Sequence, residues 1–415
     1  MRRFIDLVVR PVLAIAAVAS LLAGRLRSGP AEPKPGEAAP ASPSVIGEAL
    51  RRRAPVAAGL LILAGIGGAL VMVSGIVPIT ASSGHWAITK WLLDFAKSRS
   101  VATHTLGMRA PSLDDPALVL KGAGHYEFGC RPCHGSPAFA QPRVAAAMTP
   151  TPPNLSTAVR DFDPEELFYI VKHGIKFTGM PAWPAQARDD EVWAMVAFLR
   201  RMPEMDERGY TQLVADTPPD AAAPMRDLGP QEIPGAVAAS CRRCHGDAGT
   251  GRGLGAFPKL AGQRQAYLEA SLRAYARSAR HSGIMEPIAA GLEDAELREI
   301  AAYYANLPAQ SASPAGVGAE AAREIALGES IAARGLPNQL VPPCMKCHGP
   351  GGGPRNPHYP RLEGQYASYL VLQLTLFKSE ARGGTAYHHL MHRVAGQLEE
   401  EQMRAVARYY ASLPH

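Results

Sequence analysis

The sequence predicts an all-α protein with one long apolar helix near the N-terminus, followed by three small helical domains in tandem. Three observations predict it. Residues 54–79 are 26 consecutive residues without a charge. The pattern Cys-x-x-Cys-His occurs at 130–134, 241–245 and 344–348, and uses all six cysteines of the chain. Residues 233–415 read as one unit used twice: FPKLAGQ at 257–263 returns as YPRLEGQ at 359–365, and AAYYANLP at 301–308 as ARYYASLP at 407–414. Repeats of this length mean one structural unit reused.

A length of 415 residues at roughly 150 per domain gives two or three domains; three motifs, starting 111 and 103 residues apart, select three. The reading divides the chain into an extension at 1–53, an apolar span at 54–79, an interfacial segment at 80–110, domains at 111–208, 233–309 and 310–415, and a linker at 209–232.

Cys-x-x-Cys-His reads as a c-type haem attachment site. Two thiols one helical turn apart add across the haem vinyl groups, and the adjacent imidazole lies under the iron. Cys130, Cys133 and His134 form the first set, Cys241, Cys244 and His245 the second, Cys344, Cys347 and His348 the third. A zinc ribbon needs its two cysteine pairs roughly 15–20 residues apart, far closer than these. A redox dithiol has no need of histidine at the next position in every copy. The expected cofactor is therefore haem c, three copies, covalently attached.

The elements follow in order. Val12–Ala23 is apolar but too short to span a bilayer and resembles the core of a signal peptide. Cleavage there would export Arg51, Arg52 and Arg53, against the positive-inside rule, so 1–53 reads as a cytoplasmic or interfacial extension with a Pro/Ala/Ser-rich linker at 28–44. Residues 54–79, as a helix, exceed the ~30 Å hydrocarbon core at 1.5 Å per residue. The triple arginine holds its start in the cytoplasm and places the rest outside. Trp86, Trp91 and Phe95 suit the headgroup layer. In the first haem domain a helix leads into Cys130, a Pro-rich loop occupies 149–155, FTGMPAW lies at 177–183 and an amphipathic helix closes at 189–202. Each later domain reads as helix, motif, Pro turn, long helix, methionine loop and closing helix, with a short joint at 309–318. Outside residues 1–53, which carry +5, the formal charge is +1. No basic nucleic-acid footprint is present.

On the paired CxxCHG motifs, FPKLAGQ/YPRLEGQ, the methionine loops and YYANLP/YYASLP, residues 233–415 resemble the tandem di-haem class I cytochromes c of the c-four group. CRPCHG and FTGMPAW make residues 111–208 similar to single-haem class I cytochrome c domains of oxidase and dehydrogenase subunits. The resemblance implies three class I cytochrome c domains, His/Met iron and electron carriage.

Methionine is the expected sixth ligand, since it closes the site and raises the potential. Met285 is the one methionine between His245 and the third motif. Met391 aligns with Met285; Met403 falls on the closing helix, and His388, His389 and His392 keep bis-histidine ligation open. In the first domain Met180 occupies the family position, ahead of Met148, Met195, Met202, Met205 and His173. Pro258, Pro360 and the prolines of 150–153 shape the loop on the histidine side. Tyr267, Tyr369 and Trp183 are candidates either to bond haem propionates or to pack at the haem edge.

The resulting expectation is a membrane-embedded, tri-haem electron carrier of the bacterial inner membrane, with haem domains in the periplasm. Its redox partners would be a dehydrogenase or quinol-oxidising complex and a terminal oxidase, with no nucleic acid. The alternatives are a cytochrome subunit of an alcohol or aldehyde dehydrogenase, and a haem enzyme of the peroxidase or sulfur-oxidising kind. The enzyme reading needs an open or cysteine-ligated iron, and no cysteine is spare.

Overall fold

Helix α1, Val45–Ser74, contains a 22-residue stretch, Arg53–Ser74, whose most apolar 18 residues have mean hydropathy 2.5 and include no buried residue. At 1.5 Å per residue it is about 33 Å long, so by length and composition it can cross a membrane. It ends where Gly75 turns left-handed, φ 66°, a conformation that glycine adopts without a Cβ penalty. Residues 75–79, which the uncharged run placed within the span, are thus outside the helix. The computed structural model describes residues 45–215, 233–309, 318–349 and 355–414. The signal-like Val12–Ala23, the linker at 28–44 and most of the joint at 309–318 lie outside them. The chain forms two units, Met1–Ile79 and Thr80–His415.

The second unit is helical. Among the described residues its extended pairing is a single bridge, Leu336 to Val341. It begins with α2, Ala87–His104. Helix α3, Pro116–Gly129, is capped by Asp115, which accepts from the Ala117 N–H, and runs directly into the motif helix α4, Arg131–His134. Two single turns, α5 (Arg143–Ala146) and α6 (Leu155–Ala158), follow. Helix α7, Pro164–His173, opens with a capping box from Asp163 and Glu166. Helix α8, Asp189–Arg201, buries Val192, Met195, Val196 and Leu199 on one stripe, with acids in its first turn and arginines in its last; that charge order complements the helix dipole.

The closing element of the first domain is α9, Glu207–Val214, packed on α3. This corrects the linker assigned to 209–232. Tyr210 is fully buried and its hydroxyl donates to Glu127 at 2.5 Å. The apolar face, Tyr210, Leu213 and Val214, is too short to stand out against the polar residues around it. The segment 80–110 is also more than interfacial, because α2 packs on α7 and Met108 joins the first core.

The second domain places a π-helical turn, Val237–Cys241, before α10, Arg242–His245. Then come α11 (Gln265–Ala276), α12 (Met285–Ala290) and α13 (Asp294–Asn306). The third has α14 (Ala319–Arg334), α15 (Met345–His348), α16 (Ala367–Lys378), α17 (His388–Gly396) and α18 (Glu400–Ser412).

In the outer domains two helices cross at a glycine, α3 with α8 in the first and α14 with α18 in the third. A Cβ on Gly122 would lie 2.1 Å from the Ala194 carbonyl and 2.6 Å from Phe198 Cβ; one on Gly328, 2.1 Å from the Ala405 carbonyl and 2.8 Å from Tyr409 Cβ. Only glycine lets the two backbones approach this closely. We expect Gly122→Val and Gly328→Val each to destabilise its own domain by about 1–3 kcal/mol, the usual cost of overpacking, seen by thermal denaturation as a lowered transition for that domain.

Candidate haem sites

Each motif is wound into one helical turn by its own backbone. The His134 and His348 N–H groups bond the carbonyls of Cys130 and Cys344 at 3.0 and 2.8 Å. The phenols of Tyr126 and Tyr304 donate to the carbonyls of Gly135 and Gly246, directly after the first two histidines, at 2.6 and 3.3 Å.

The imidazoles are held alike in all three domains. Nδ1 of His134 lies 2.8 Å from the Pro153 carbonyl, Nδ1 of His245 3.2 Å from that of Pro258, and Nδ1 of His348 3.0 Å from that of Pro360. A carbonyl only accepts, so Nδ1 carries the proton and Nε2 keeps its lone pair free. Burial pushes all three imidazoles below their usual pKa. The result is a neutral, oriented nitrogen donor, which is what an axial haem ligand needs. Burial also pushes the Cys130 and Cys241 thiols up to about 12 and Cys344 to about 11. That is the opposite of the low-pKa thiolate of a redox dithiol.

The methionines sort by environment. Met195, Met202 and Met403 are buried in hydrophobic clusters, Met403 beside Val341 and Leu398. Met180 lies half-buried in the loop between α7 and α8, its N–H 3.1 Å from Thr178 Oγ1. Met148 lies against the same loop: a Cβ on Gly179 would be 2.1 Å from its Cε. Met285 opens α12, with its N–H 3.1 Å from Ser282 Oγ. Met391 on α17 lines one cleft with Cys344, Cys347 and His348. His388 borders that cleft too, its Nδ1 2.5 Å from the Thr385 carbonyl, while His392 is turned to the Arg382 carbonyl at 2.6 Å. Trp183 is not directed at a haem carboxylate; its indole N–H donates to Glu191 Oε2 at 3.1 Å.

The repeated FPKLAGQ and YPRLEGQ segments meet across a local two-fold between the second and third domains. Gln365 Oε1 accepts from the Lys259 N–H at 3.0 Å, and its amide donates to the Lys259 carbonyl at 2.9 Å. Gln263 does the same to Arg361, at 2.8 and 2.9 Å. Lys259 Nζ reaches the Gly364 carbonyl and an Arg361 N–H that of Gly262. Each of these six bonds has its symmetry mate, the hallmark of an isologous contact.

Behind this seam lie two arginines that the reading of the sequence missed. Arg280 is 5% exposed and Arg382 8%. Arg382 donates to Tyr267 at 2.9 Å and to Gln373 at 2.6 Å; Arg280 donates to Tyr369 and Gln373, both at 3.4 Å. Among the described residues no carboxylate pairs with either. Burying an unpaired guanidinium costs several kcal/mol, so such a site calls for an anion. Burial alone would push the Tyr267 phenol up, yet Arg382 and Arg280 bring it down to about 7. Haem c carries two propionates, and the cleft lined by Cys344, Cys347 and His348 also contains Tyr267, Tyr369 and Arg382. The residues fit the group. The signal was present in the repeat, since Ala279-Arg280 returns as Ala381-Arg382 at the same offset as Tyr267 and Tyr369.

These helical domains, each built round an oriented Cys-x-x-Cys-His turn, define the class of c-type cytochromes. The comparisons agree. Residues 117–199 and 230–303 match the family profile "Cytochrome C oxidase, cbb3-type, subunit III", and residues 338–414 match "Cytochrome c". The "Thiosulfate dehydrogenase electron acceptor" of Thiomonas intermedia is 38% identical over 178 residues, 43% of this chain and 80% of that protein. "Cytochrome c-552" of Acidithiobacillus ferridurans is 36% identical over 199 residues, 47% and 78%. "Cytochrome c4" of Thiocapsa roseopersicina is 34% identical over 175 residues, 42% and 86%. The chain belongs to the class I c-type cytochromes, with cytochrome c4-like di-haem domains and a further class I domain, and it carries covalently attached haem c.

Arg382→Gln should lower the midpoint potential of the neighbouring haem, because a lost positive charge stabilises the ferric state. At an effective dielectric near 20 the expected drop is on the order of 1 kcal/mol, roughly 40 mV for one electron, read by spectroelectrochemical titration against wild type.

Proposed function

We propose that the chain is a membrane-anchored tri-haem cytochrome that carries electrons on the periplasmic side of a bacterial inner membrane. It would work between a dehydrogenase or quinol-oxidising complex and a terminal oxidase. The observation that carries this reading is the threefold recurrence of an imidazole fixed by a proline carbonyl beside a Cys-x-x-Cys turn. Haem c supplies a one-electron ferric–ferrous couple. The chain's residues do the rest. Cys130, Cys133, Cys241, Cys244, Cys344 and Cys347 tether, His134, His245 and His348 present Nε2, and Met180, Met285 and Met391 close the opposite side. Arg280 and Arg382 hold carboxylates at the seam of the tandem pair.

The anchor is α1. Its 22-residue stretch opens on the last of three arginines, and the exposed Trp86, Trp91 and Phe95 of α2 suit the headgroup layer. A more specific donor is favoured by two relatives, 38% and 35% identical, that are named as electron acceptors of thiosulfate dehydrogenase. A sulfur-compound dehydrogenase feeding this chain is therefore the second reading.

Wild-type protein should gain three haem masses and, once reduced, leave carbon monoxide unbound; Met285→Ala should open about a third of the haem to the gas. Stoichiometric gas binding by wild type at one haem would turn the reading from carrier to enzyme. For topology, a phosphatase fused after residue 110 should be active outside the cytoplasm and one fused near residue 45 should not. Activity in both would replace the anchor with a cleaved leader.

A further inference from the structure

The methionine loop of the second domain is built into the first. Ile284, 9% exposed, is a member of the first domain's hydrophobic core, and Ile288 packs against that core. These two residues flank Met285. Gly283 lies on the indole of Trp183 so closely that a Cβ would fall 2.2 Å from Nε1. Nearby, a Cβ on Gly124 of α3 would meet Phe257 Cζ at 3.0 Å and Cys244 Sγ at 3.3 Å. The first domain thus covers both the second motif and its methionine loop.

One carboxylate organises this contact. Glu191 on α8 is 2% exposed. Its Oε2 accepts from the Trp183 indole at 3.1 Å and the Gly283 N–H at 2.7 Å. Its Oε1 accepts from Ser282 Oγ at 2.6 Å and pairs with Arg188 at 3.0 Å. Arg188 sends another N–H to the His281 carbonyl at 2.7 Å. Ser282 Oγ, donating to Glu191, is free to accept, and it receives the Met285 N–H at 3.1 Å. The chain of bonds therefore runs from the Met285 amide through one hydroxyl to a carboxylate of the other domain.

We propose that Glu191 is a positioning residue of the second domain's site, an interdomain clamp that fixes the Met285 loop from outside its own domain. This rests on Met285 as the sixth ligand of the middle haem. The internal repeat supplies the contrast. The third domain's counterpart loop carries Leu390 where the second has Ile284, with 41% of it exposed, and among the described residues no carboxylate of another domain enters its hydrogen bonds. The third domain's loop meets the second through backbone packing, Gly384 against Ala279, so among the described residues the carboxylate clamp distinguishes the middle loop from its repeat.

The clamp depends on acceptors. All four partners of Glu191 donate, so the isosteric Glu191→Gln turns an amide N–H₂ toward one pair of donors while filling the same volume. Hydrogen bonds to a buried charge are among the stronger ones, so losing this set should speed amide exchange at residues 282–285 at least about tenfold. Full-length Glu191→Gln, Ser282→Ala and Met285→Ala are compared with wild type by hydrogen exchange, by the methionine–iron absorption band and by carbon monoxide binding. The expected result is faster exchange at 282–285 in the first two, unchanged exchange at 388–391, and gas binding confined to about a third of the haem. Unchanged exchange at 282–285 in both variants overturns the clamp, as does faster exchange throughout the first domain with no local excess. Should Glu191→Gln fail to fold, Ser282→Ala, which keeps the carboxylate and its other donors, decides by the same exchange readout. If Met285→Ala leaves the spectrum unchanged, the ligand assignment fails, while the exchange data still judge the clamp.

Discussion

Three proline carbonyls determine what three imidazoles can do. A histidine near a surface loop can rotate, switch tautomer and take up a proton, and each would spoil it as a fixed ligand. The Nδ1–H bond to Pro153, Pro258 or Pro360 removes these freedoms together. Proline suits the accepting position because its ring fixes φ. Much of the surrounding structure serves this geometry, including the tyrosines that tie Gly135 and Gly246 and the glycines at the helix crossings. The pattern was legible in the chain because covalent attachment tolerates little change of spacing, and the prolines after each motif could be recognised beforehand as shaping the histidine side.

The tandem pair was readable as a repeat but not as an interface. FPKLAGQ and YPRLEGQ announce that one unit occurs twice; nothing in either copy says that its glutamine bonds the backbone of the other. Once the two are placed together, the identity of residue types explains itself, since an isologous contact needs the same groups on both sides. Arg280 and Arg382 went unnoticed for a related reason. An arginine in sequence is a surface residue by default, and only burial without a carboxylate marks it otherwise.

The misreadings share a cause. The 26-residue uncharged run overshot the C-terminal end of the helix because composition continues past Gly75 while the helical backbone does not. The linker assigned to 209–232 hid α9, where three apolar residues suffice because Tyr210 meets Glu127 across the core. Trp183 was a candidate either to bond a propionate or to pack at the haem edge, yet its indole N–H goes to Glu191, eight residues on. Glu191 itself stands in an acidic helix start, Asp189-Asp190-Glu191, where sequence logic sees only dipole compensation. Local periodicity locates helices well; it carries little about contacts between domains.

The placement of Ile284 in another domain's core bears on how the molecule comes into being. An apolar side chain flanking a half-buried methionine would be a sticky surface for as long as nothing covered it. Domains generally fold as units, N-terminal first during synthesis, so the rest of that core, Trp183, Val192 and Leu199 among it, can form before residue 284 emerges. Reversing the order of the domains would leave that loop waiting for its shelter. The order of the domains along the chain therefore has a kinetic logic: the host precedes the guest.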